Sequence, residues 1–98
     1  MKRLFISQVM NGKTDEEILS IREKAIASAE RVLGEPVEVI DSFFKGADLS
    51  HALEYLGESI KLIATADVVY FAKGWETARG CRIENQCAID YGIDIIEE

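Results

Sequence analysis

One carboxylate in this sequence has unusual neighbours for a charged residue. Helical spacing places Gly80, Glu84, Cys87, Ala88 and Tyr91 near one stripe of a predicted helix, so Glu84 lies among small or apolar residues. A carboxylate there is costly unless it is paired or used, and its position one turn into the helix helps to keep it ionised. An ionised, partly buried carboxylate that faces a pocket can act as a nucleophile at a sugar carbon.

The segment that leads to this carboxylate is rich in functional side chains. It reads Gly74-Trp75-Glu76-Thr77-Ala78-Arg79-Gly80-Cys81-Arg82-Ile83-Glu84. Arg79 and Arg82 share a helix face and, with Lys73, form a basic island beside a helix N-terminus that favours anions. Gly80 costs about 1 kcal/mol relative to Ala in a helix, which suggests a backbone that approaches a strand or a ligand closely. The alternatives are a solvated face covered by Trp75 and a salt bridge from Glu84 to an arginine.

Three other features are weaker candidates for chemistry. Gly12-Lys13-Thr14 resembles the end of a phosphate-binding P-loop, but Ser7 stands where that motif needs its first Gly, so an ordinary loop and helix cap is the favoured reading. His51 is the only histidine and has no partners at metal-ligand spacing, so we expect no metal site. Cys81 and Cys87 lie six apart in a predicted helix and should not form a disulfide, which favours a reduced, cytoplasmic protein.

The elements that position these residues alternate along the chain. Strands are predicted at 4–6, 37–40, 68–72 and 93–96, with helices from Thr14 to Gly34, from Ser50 and from about Ala78 to Tyr91. Thr14 with Glu17 forms a capping box, and Gly34 is a helix stop. In the middle helix, one face is predicted to carry Leu53, Leu56, Ile60 and Ile63.

This order predicts an α/β fold: a small Rossmann-like or flavodoxin-like three-layer sandwich with a four-stranded parallel sheet, as one domain over residues 1–98. Ligands of such sheets bind at the carboxyl ends of the strands. The loops 7–13, 41–48 and 73–78 converge there. The last strand is predicted to be an edge, which a second subunit often covers.

Composition narrows the classes of function. The net charge of −7, from 18 acidic and 11 basic residues, argues against a nucleic-acid or anionic-membrane binder but allows a small phosphate ligand in a local basic pocket. No apolar run approaches the ~20 residues of a membrane span. A 98-residue domain has a thin core, so a homodimer or higher homo-oligomer is expected.

Three segments together resemble a known family. They are Ser7-Gln8-Val9-Met10-Asn11-Gly12, then Ala66-Asp67-Val68-Val69-Tyr70-Phe71, and Gly80-Cys81-Arg82-Ile83-Glu84 with Ala88. They resemble the nucleoside 2-deoxyribosyltransferase superfamily and, more closely, its short DUF4406 branch, over nearly the whole chain. That branch typically carries a Ser-Gln-Pro-Met-Asn-Gly start and a Gly-Trp-Glu-x-Ala-Arg-Gly-Cys-x-x-Glu segment.

The resemblance implies roles for individual residues. In the characterised enzymes a Glu with Gly four before it and Ala four after it attacks the anomeric carbon, and Glu84 has that place here. The loop 7–12 would line the sugar and base site, and neighbouring subunits often complete it. The implied substrate-binding set is Ser7, Gln8, Met10, Asn11, Gly12, Ser59, Trp75, Glu76, Arg79, Gly80 and Cys81.

The sequence also departs from the family pattern. Cys81, Gln86 and Val9 replace commoner residues, and Ser59 stands where the enzymes carry an Asp that orients or protonates the substrate. Glu76 could supply the missing acid. Asp67 begins its strand, at the wrong end of the sheet for catalysis, and is interpreted as structural.

Two functions follow from these residues. The first is an enzyme, without a cofactor, that cleaves or transfers the N-glycosidic bond of a nucleoside or nucleotide. In it, Trp75 would stack on the base, while Arg79 and the helix start would hold phosphate. The second is a binding module that holds a nucleotide in the same pocket without cleaving it.

Overall fold

The computed structural model describes residues 1–42 and 51–98 as alternating strands and helices. The elements are β1 (Lys2–Ser7), α1 (Asp15–Leu33), β2 (Val37–Val39), α2 (Ala52–Ile63), β3 (Val68–Phe71), α3 (Arg79–Asp90) and β4 (Asp94–Glu97), with a 3₁₀ turn (Trp75–Thr77) before α3. The predicted order of strands and helices is confirmed. The predicted loop 41–48 and the helix cap at Ser50 lie largely or wholly outside the described residues.

The four strands form one parallel sheet in the order β2-β1-β3-β4. Leu4 of β1 is in register with Val39 on one side and Val68 on the other. After β2 the chain crosses over β1 to reach β3, so β1 marks the point where the strand order reverses. Ligands of open parallel sheets bind beyond the carboxyl ends of the strands at such a point. The predicted class, a small Rossmann-like or flavodoxin-like α/β fold with a four-stranded parallel sheet, is confirmed.

Alternate residues of β1 supply the two apolar layers. One layer packs against α1 and contains Leu4, Ile6, Ala25, Ala29, Val68, Tyr70 and Ala72. The other includes Ile63 from α2 and Ala88 from α3, together with Phe5, Ile40, Val69 and Phe71. Because successive strand residues point to opposite faces, Ser7 lies on the same side as Phe5, toward α2 and α3.

Local signals fix both ends of α1. Thr14 accepts a hydrogen bond from the Glu17 amide, and the Glu17 side chain accepts one from the Thr14 amide. Gly34 ends the helix with φ of 70°, a left-handed conformation that glycine adopts without steric cost. The capping box and the stop are confirmed. The hydroxyl of Thr14 is used in the cap, which supports the cap reading over a P-loop.

Two apolar residues that the helical pattern assigns to inward-facing stripes are exposed instead. Leu53 is 80% exposed, and the buried residues of α2 are Ser59 and Ile63. The buried side of α2 is therefore rotated away from Leu53 and includes a serine. Tyr91 is 83% exposed, just after the end of α3. The buried stripe of α3 is Cys81, Glu84, Asn85 and Ala88 instead.

The start of β3 is held by a side chain. Asp67 Oδ2 accepts a hydrogen bond of 2.8 Å from the amide of Arg3, which supports the structural interpretation of Asp67. At the far side of the sheet, β4 is an edge strand, as predicted. Among the helices of residues 1–42 and 51–98, none has both the length and the apolar character needed to cross a membrane.

Candidate functional site

A cavity of about 620 Å³ lies at the carboxyl end of β1, on the side of α2 and α3. Its walls come from the end of β1 and the loop after it, from α2, and from the start of α3. The predicted site residues that line it are Ser7, Gln8, Met10, Asn11, Ser59, Arg79, Gly80, Cys81 and Glu84. Residues from three parts of the chain therefore meet at the edge where the topology predicts a ligand.

Glu84 lies in the wall of this cavity and is 7% exposed. The hydroxyl of Ser7 donates a hydrogen bond of 2.6 Å to Glu84 Oε1. Within the described residues no ion pair joins Glu84 to Arg79 or Arg82, and Arg82 Nη1 instead donates to the carbonyl of Glu76 at 2.8 Å. The salt-bridge alternative is wrong: hydroxyls, not cations, surround the carboxylate.

Burial raises the pKa of Glu84 above its usual value, and hydrogen bonds from Ser7 and Ser59 partly oppose that rise by stabilising the charged form. From the sequence, the helix dipole is expected to help keep Glu84 ionised. In the folded protein, desolvation is the dominant effect. Two hydroxyls, that of Ser7 on β1 and that of Ser59 on α2, stabilise the charged form of the carboxylate.

Cys81 lies one turn before Glu84 and also lines the cavity. Burial raises the pKa of its thiol to about 11, with the nearby Glu84 carboxylate as a further cause. A thiol with that pKa is protonated at neutral pH, so it is a poor nucleophile. Cys81 therefore contributes shape and a weak hydrogen-bond donor to the wall.

The start of α3 forms the part of the wall that contains Arg79 and Gly80. No side chain caps this helix start. A Cβ built on Gly80 would meet no atom within 4 Å. The close approach to a strand that its type suggested is absent, and the space beside it belongs to the cavity. Arg79 is exposed at the rim.

Three residues of the predicted set do not line the cavity: Gly12, Trp75 and Glu76. The Trp75 ring packs against Phe71, with centroids 5.2 Å apart, and belongs to the apolar layer under α2 and α3. The predicted stacking of Trp75 on a base therefore has no support in its position. Glu76 is exposed, and its side chain does not replace the missing acid in the cavity. Gly12 adopts a positive φ in an exposed turn.

Sequence reasoning missed several residues of the wall. Ser42 follows β2, while Ala52, Tyr55 and Leu56 come from the first turns of α2. Tyr55, Leu56 and Ser59 share one side of a helix at spacings of three and four, which could have indicated a cavity wall. The apolar Leu53 favoured a different side of α2 as the buried one. Arg22, which is 8% exposed, donates to Ser42 Oγ at 3.1 Å; a buried arginine in an amphipathic helix gave no separate signal.

Metal binding has no support in the described part of the chain. No group of three or more His, Cys, Asp or Glu residues there could hold a metal ion. His51 Nδ1 lies 3.5 Å from the carboxylate of Glu54, and both side chains are exposed. Cys81 and Cys87 are free thiols, as expected.

Fold and site together define a small α/β protein in which a carboxylate of α3, bound by a hydroxyl at the end of β1, lies in the wall of a cavity at the strand ends. A family model described as "Domain of unknown function (DUF4406)" matches residues 2–97, so the chain belongs to the DUF4406 family. The predicted resemblance to DUF4406 is confirmed, and the resemblance to the nucleoside 2-deoxyribosyltransferase superfamily stays a prediction. No curated protein and no solved structure matches the chain.

Proposed function

We propose that this protein cleaves or transfers the N-glycosidic bond of a nucleoside or nucleotide, with Glu84 as the nucleophile. The observation that carries this proposal is the 2.6 Å hydrogen bond from Ser7 to a Glu84 carboxylate that is buried in the wall of a 620 Å³ cavity. A carboxylate that is desolvated but held by hydroxyls is reactive and fixed in direction. Cavities of several hundred Å³ hold ligands of this size.

The reaction has two steps. A Glu84 oxygen forms a bond to the anomeric carbon while the bond from that carbon to the base nitrogen breaks; the base takes the electron pair and gains one proton from solvent water. The product is a glycosyl ester on Glu84. Water, or the nitrogen of a second base, then attacks the anomeric carbon, loses a proton, and the Glu84 carboxylate leaves. Water gives hydrolysis, and a second base gives transfer.

Positions in the cavity suggest which residue does what. Ser7 holds one carboxylate oxygen and so positions the nucleophile. Asn11 and Met10 lie on the loop after β1 and line the cavity, so they would contact sugar or base. Arg79 and the uncapped start of α3 would favour a phosphate on the substrate. No cofactor is required. A homo-oligomer remains part of the proposal, and light scattering that found only monomer would remove it.

A second function, a nucleotide-binding module without catalysis, is favoured by one observation. Among the described residues that line the cavity, Glu84 is the only carboxylate. Ser59, at the position where the resemblance expects an Asp, is buried in the wall and cannot protonate a leaving base as a carboxylic acid can. Tight binding with the ligand recovered intact would support this module over the enzyme.

The experiment is to incubate the protein with nucleosides, 2′-deoxynucleosides, their 5′-monophosphates and NAD, and to measure released base by chromatography. We expect the native protein to release base from at least one substrate and Glu84→Gln to lose at least 1000-fold in rate. Glu76→Gln is the matched control because Glu76 is exposed and outside the cavity. Release by Glu84→Gln at the native rate would exclude this mechanism.

A further inference from the structure

Gln8 is a buried amide in which only one of the two polar atoms, the nitrogen, has a hydrogen-bond partner among residues 1–42 and 51–98. It is 4% exposed and belongs to the cavity wall. Its Nε2 donates to the carbonyl of Ile18 on α1 at 3.1 Å. Its Oε1 is buried and has no hydrogen-bond partner among residues 1–42 and 51–98. A buried acceptor without a donor is rare in folded proteins because its desolvation is not repaid.

The orientation of this amide is fixed by chemistry. The carbonyl of Ile18 can only accept a hydrogen bond, so the nitrogen of Gln8 must face it. Reversing the amide would place two oxygens against each other. The unpartnered atom is therefore an acceptor, and the group that satisfies it must donate.

Ser42 supplies a hydrogen-bond donor, whereas the free atom of Gln8 is an acceptor. It is 2% exposed, lines the same cavity and accepts a hydrogen bond from Arg22 Nη1 at 3.1 Å. Arg22 also donates to the carbonyl of Ile40 at 3.3 Å, which holds the end of β2 against α1. A hydroxyl whose oxygen accepts from a guanidinium keeps its own proton to donate.

These two groups belong to the same wall. Gln8 follows β1 and Ser42 follows the neighbouring strand β2. Both are tied to α1, through Ile18 and Arg22, which are one turn apart on the same helix face. Ser7, the residue before Gln8, lies on the other side and binds Glu84. An acceptor and a donor thus follow two neighbouring strands and line the same cavity wall.

We propose that Gln8 Oε1 and the Ser42 hydroxyl select an amino-bearing nucleobase, with Gln8 accepting from the exocyclic amino group and Ser42 donating to the adjacent ring nitrogen. Adenine and cytosine carry that donor beside that acceptor, whereas hypoxanthine and uracil carry an oxygen in place of the amino group. This inference rests on the proposed function for the ligand class but not for the cleavage step. Arg22 is a positioning residue that acts through Ser42.

The test measures binding to Glu84→Gln protein by calorimetry, so that no ligand is consumed. The probes are 2′-deoxyadenosine against 2′-deoxyinosine and 2′-deoxycytidine against 2′-deoxyuridine, each also as its 5′-monophosphate. We expect the amino-bearing member of at least one pair to bind at least tenfold more tightly, because a buried acceptor rejects an oxygen placed opposite it. Gln8→Met and Ser42→Ala, added separately, should each reduce that ratio toward one.

Matched controls are Gln86→Met and Ser20→Ala, since both residues are exposed and outside the cavity. They should leave the ratio unchanged. Thermal melts identify a variant that fails to fold. If Gln8→Met does not fold, Ser42→Ala alone provides the test.

Three outcomes would overturn the inference. One is equal binding of both members of each pair, or no binding of any probe. Another is an amino preference that survives both variants, in which case the Gln8 oxygen is met only by water. The third is weaker binding of 2′,3′-dideoxyadenosine than of 2′-deoxyadenosine, with no such difference once Gln8→Met is added. That result would assign Gln8 to a sugar hydroxyl. The proposed function fails separately, if base is never released although the amino preference is found.

Discussion

Ser7 and Glu84 are 77 positions apart in the chain, yet the hydroxyl of one lies 2.6 Å from a carboxylate oxygen of the other. The contact joins the last residue of β1 to the second turn of α3. In this pair, a strand end supplies the hydrogen-bond donor, and a helix supplies the carboxylate that the donor holds.

Ser7→Ala is expected to raise the pKa of Glu84 further, because the Ser7 hydrogen bond stabilises the charged form. A nucleophilic carboxylate must be ionised, so the acid limb of the rate profile should move to higher pH. The rate at neutral pH should also fall, about 10- to 100-fold, since the oxygen is no longer held. The measurement is kcat/KM against pH for any substrate found. Ser20→Ala, on the exposed face of α1, is the control, and an unmoved acid limb in Ser7→Ala would contradict the prediction.

Glu84→Gln should stabilise the fold at neutral pH. The folded-state pKa of Glu84 is raised by burial, so the folded protein binds its proton more tightly than the unfolded chain does. The contribution of this group to stability is therefore fully present below the unfolded pKa and is lost as pH rises through the folded value. A neutral glutamine avoids that loss.

The measurement is Tm for both proteins between pH 4 and pH 8. The Tm gain of Glu84→Gln should be largest above the folded pKa and should shrink as the pH approaches 4. Glu76→Gln, at an exposed position, should give no such pattern. A constant difference across the range would mean that the substitution acts through packing and not through the proton.

Thr14→Ala should cost about 1 kcal/mol of unfolding free energy, because it removes the side-chain acceptor of the α1 capping box. For a domain of this size that corresponds to a Tm decrease of about 4–8 °C. Urea denaturation measures it directly. Thr14→Ser keeps the hydroxyl and should lose much less, and equal losses in the two variants would show that the methyl group, not the cap, is important.

Cys81 should react slowly with iodoacetamide, because burial raises its thiol pKa to about 11 and leaves little thiolate at pH 8. In a Cys87→Ser background, labelling followed by mass spectrometry should be roughly 100-fold slower than for the same protein unfolded in urea. The rate should rise with pH until about 11. Rapid labelling of the folded protein at pH 7 would contradict both the burial and the raised pKa.

Local signals in the sequence were sufficient for most of the fold. The capping box at Thr14 and the left-handed Gly34 depend only on neighbouring residues, so they could be placed before any tertiary structure was known. The strand at 68–72 could be found because it is buried on both faces and therefore continuously apolar. Chain order then determined the parallel sheet.

Predictions that depended on which face of a helix is buried were less successful. Leu53 is apolar and exposed, while Ser59 is polar and buried, because the second face of α2 borders a cavity and needs polar groups there. Trp75 was assigned to the ligand by its type, yet the Phe71 ring beside it supplies a better partner. Gln8 and Ser42 gained their significance from α1, and no spacing in the sequence connects them.

The central place of β1 determines when the cavity can form. Its partners are β2, the next strand along the chain, and β3, which begins 64 residues after Leu4 at Val68. The β1–β3 pairing and the Ser7–Glu84 contact must therefore close long loops, and long loop closure slows folding. A nascent chain that has completed α1 and β2 has only one side of β1 paired and no carboxylate beside Ser7. Under the proposed function, binding competence arises only after α3 has been synthesised and docked, so ligand capture would report assembly of the chain as far as α3.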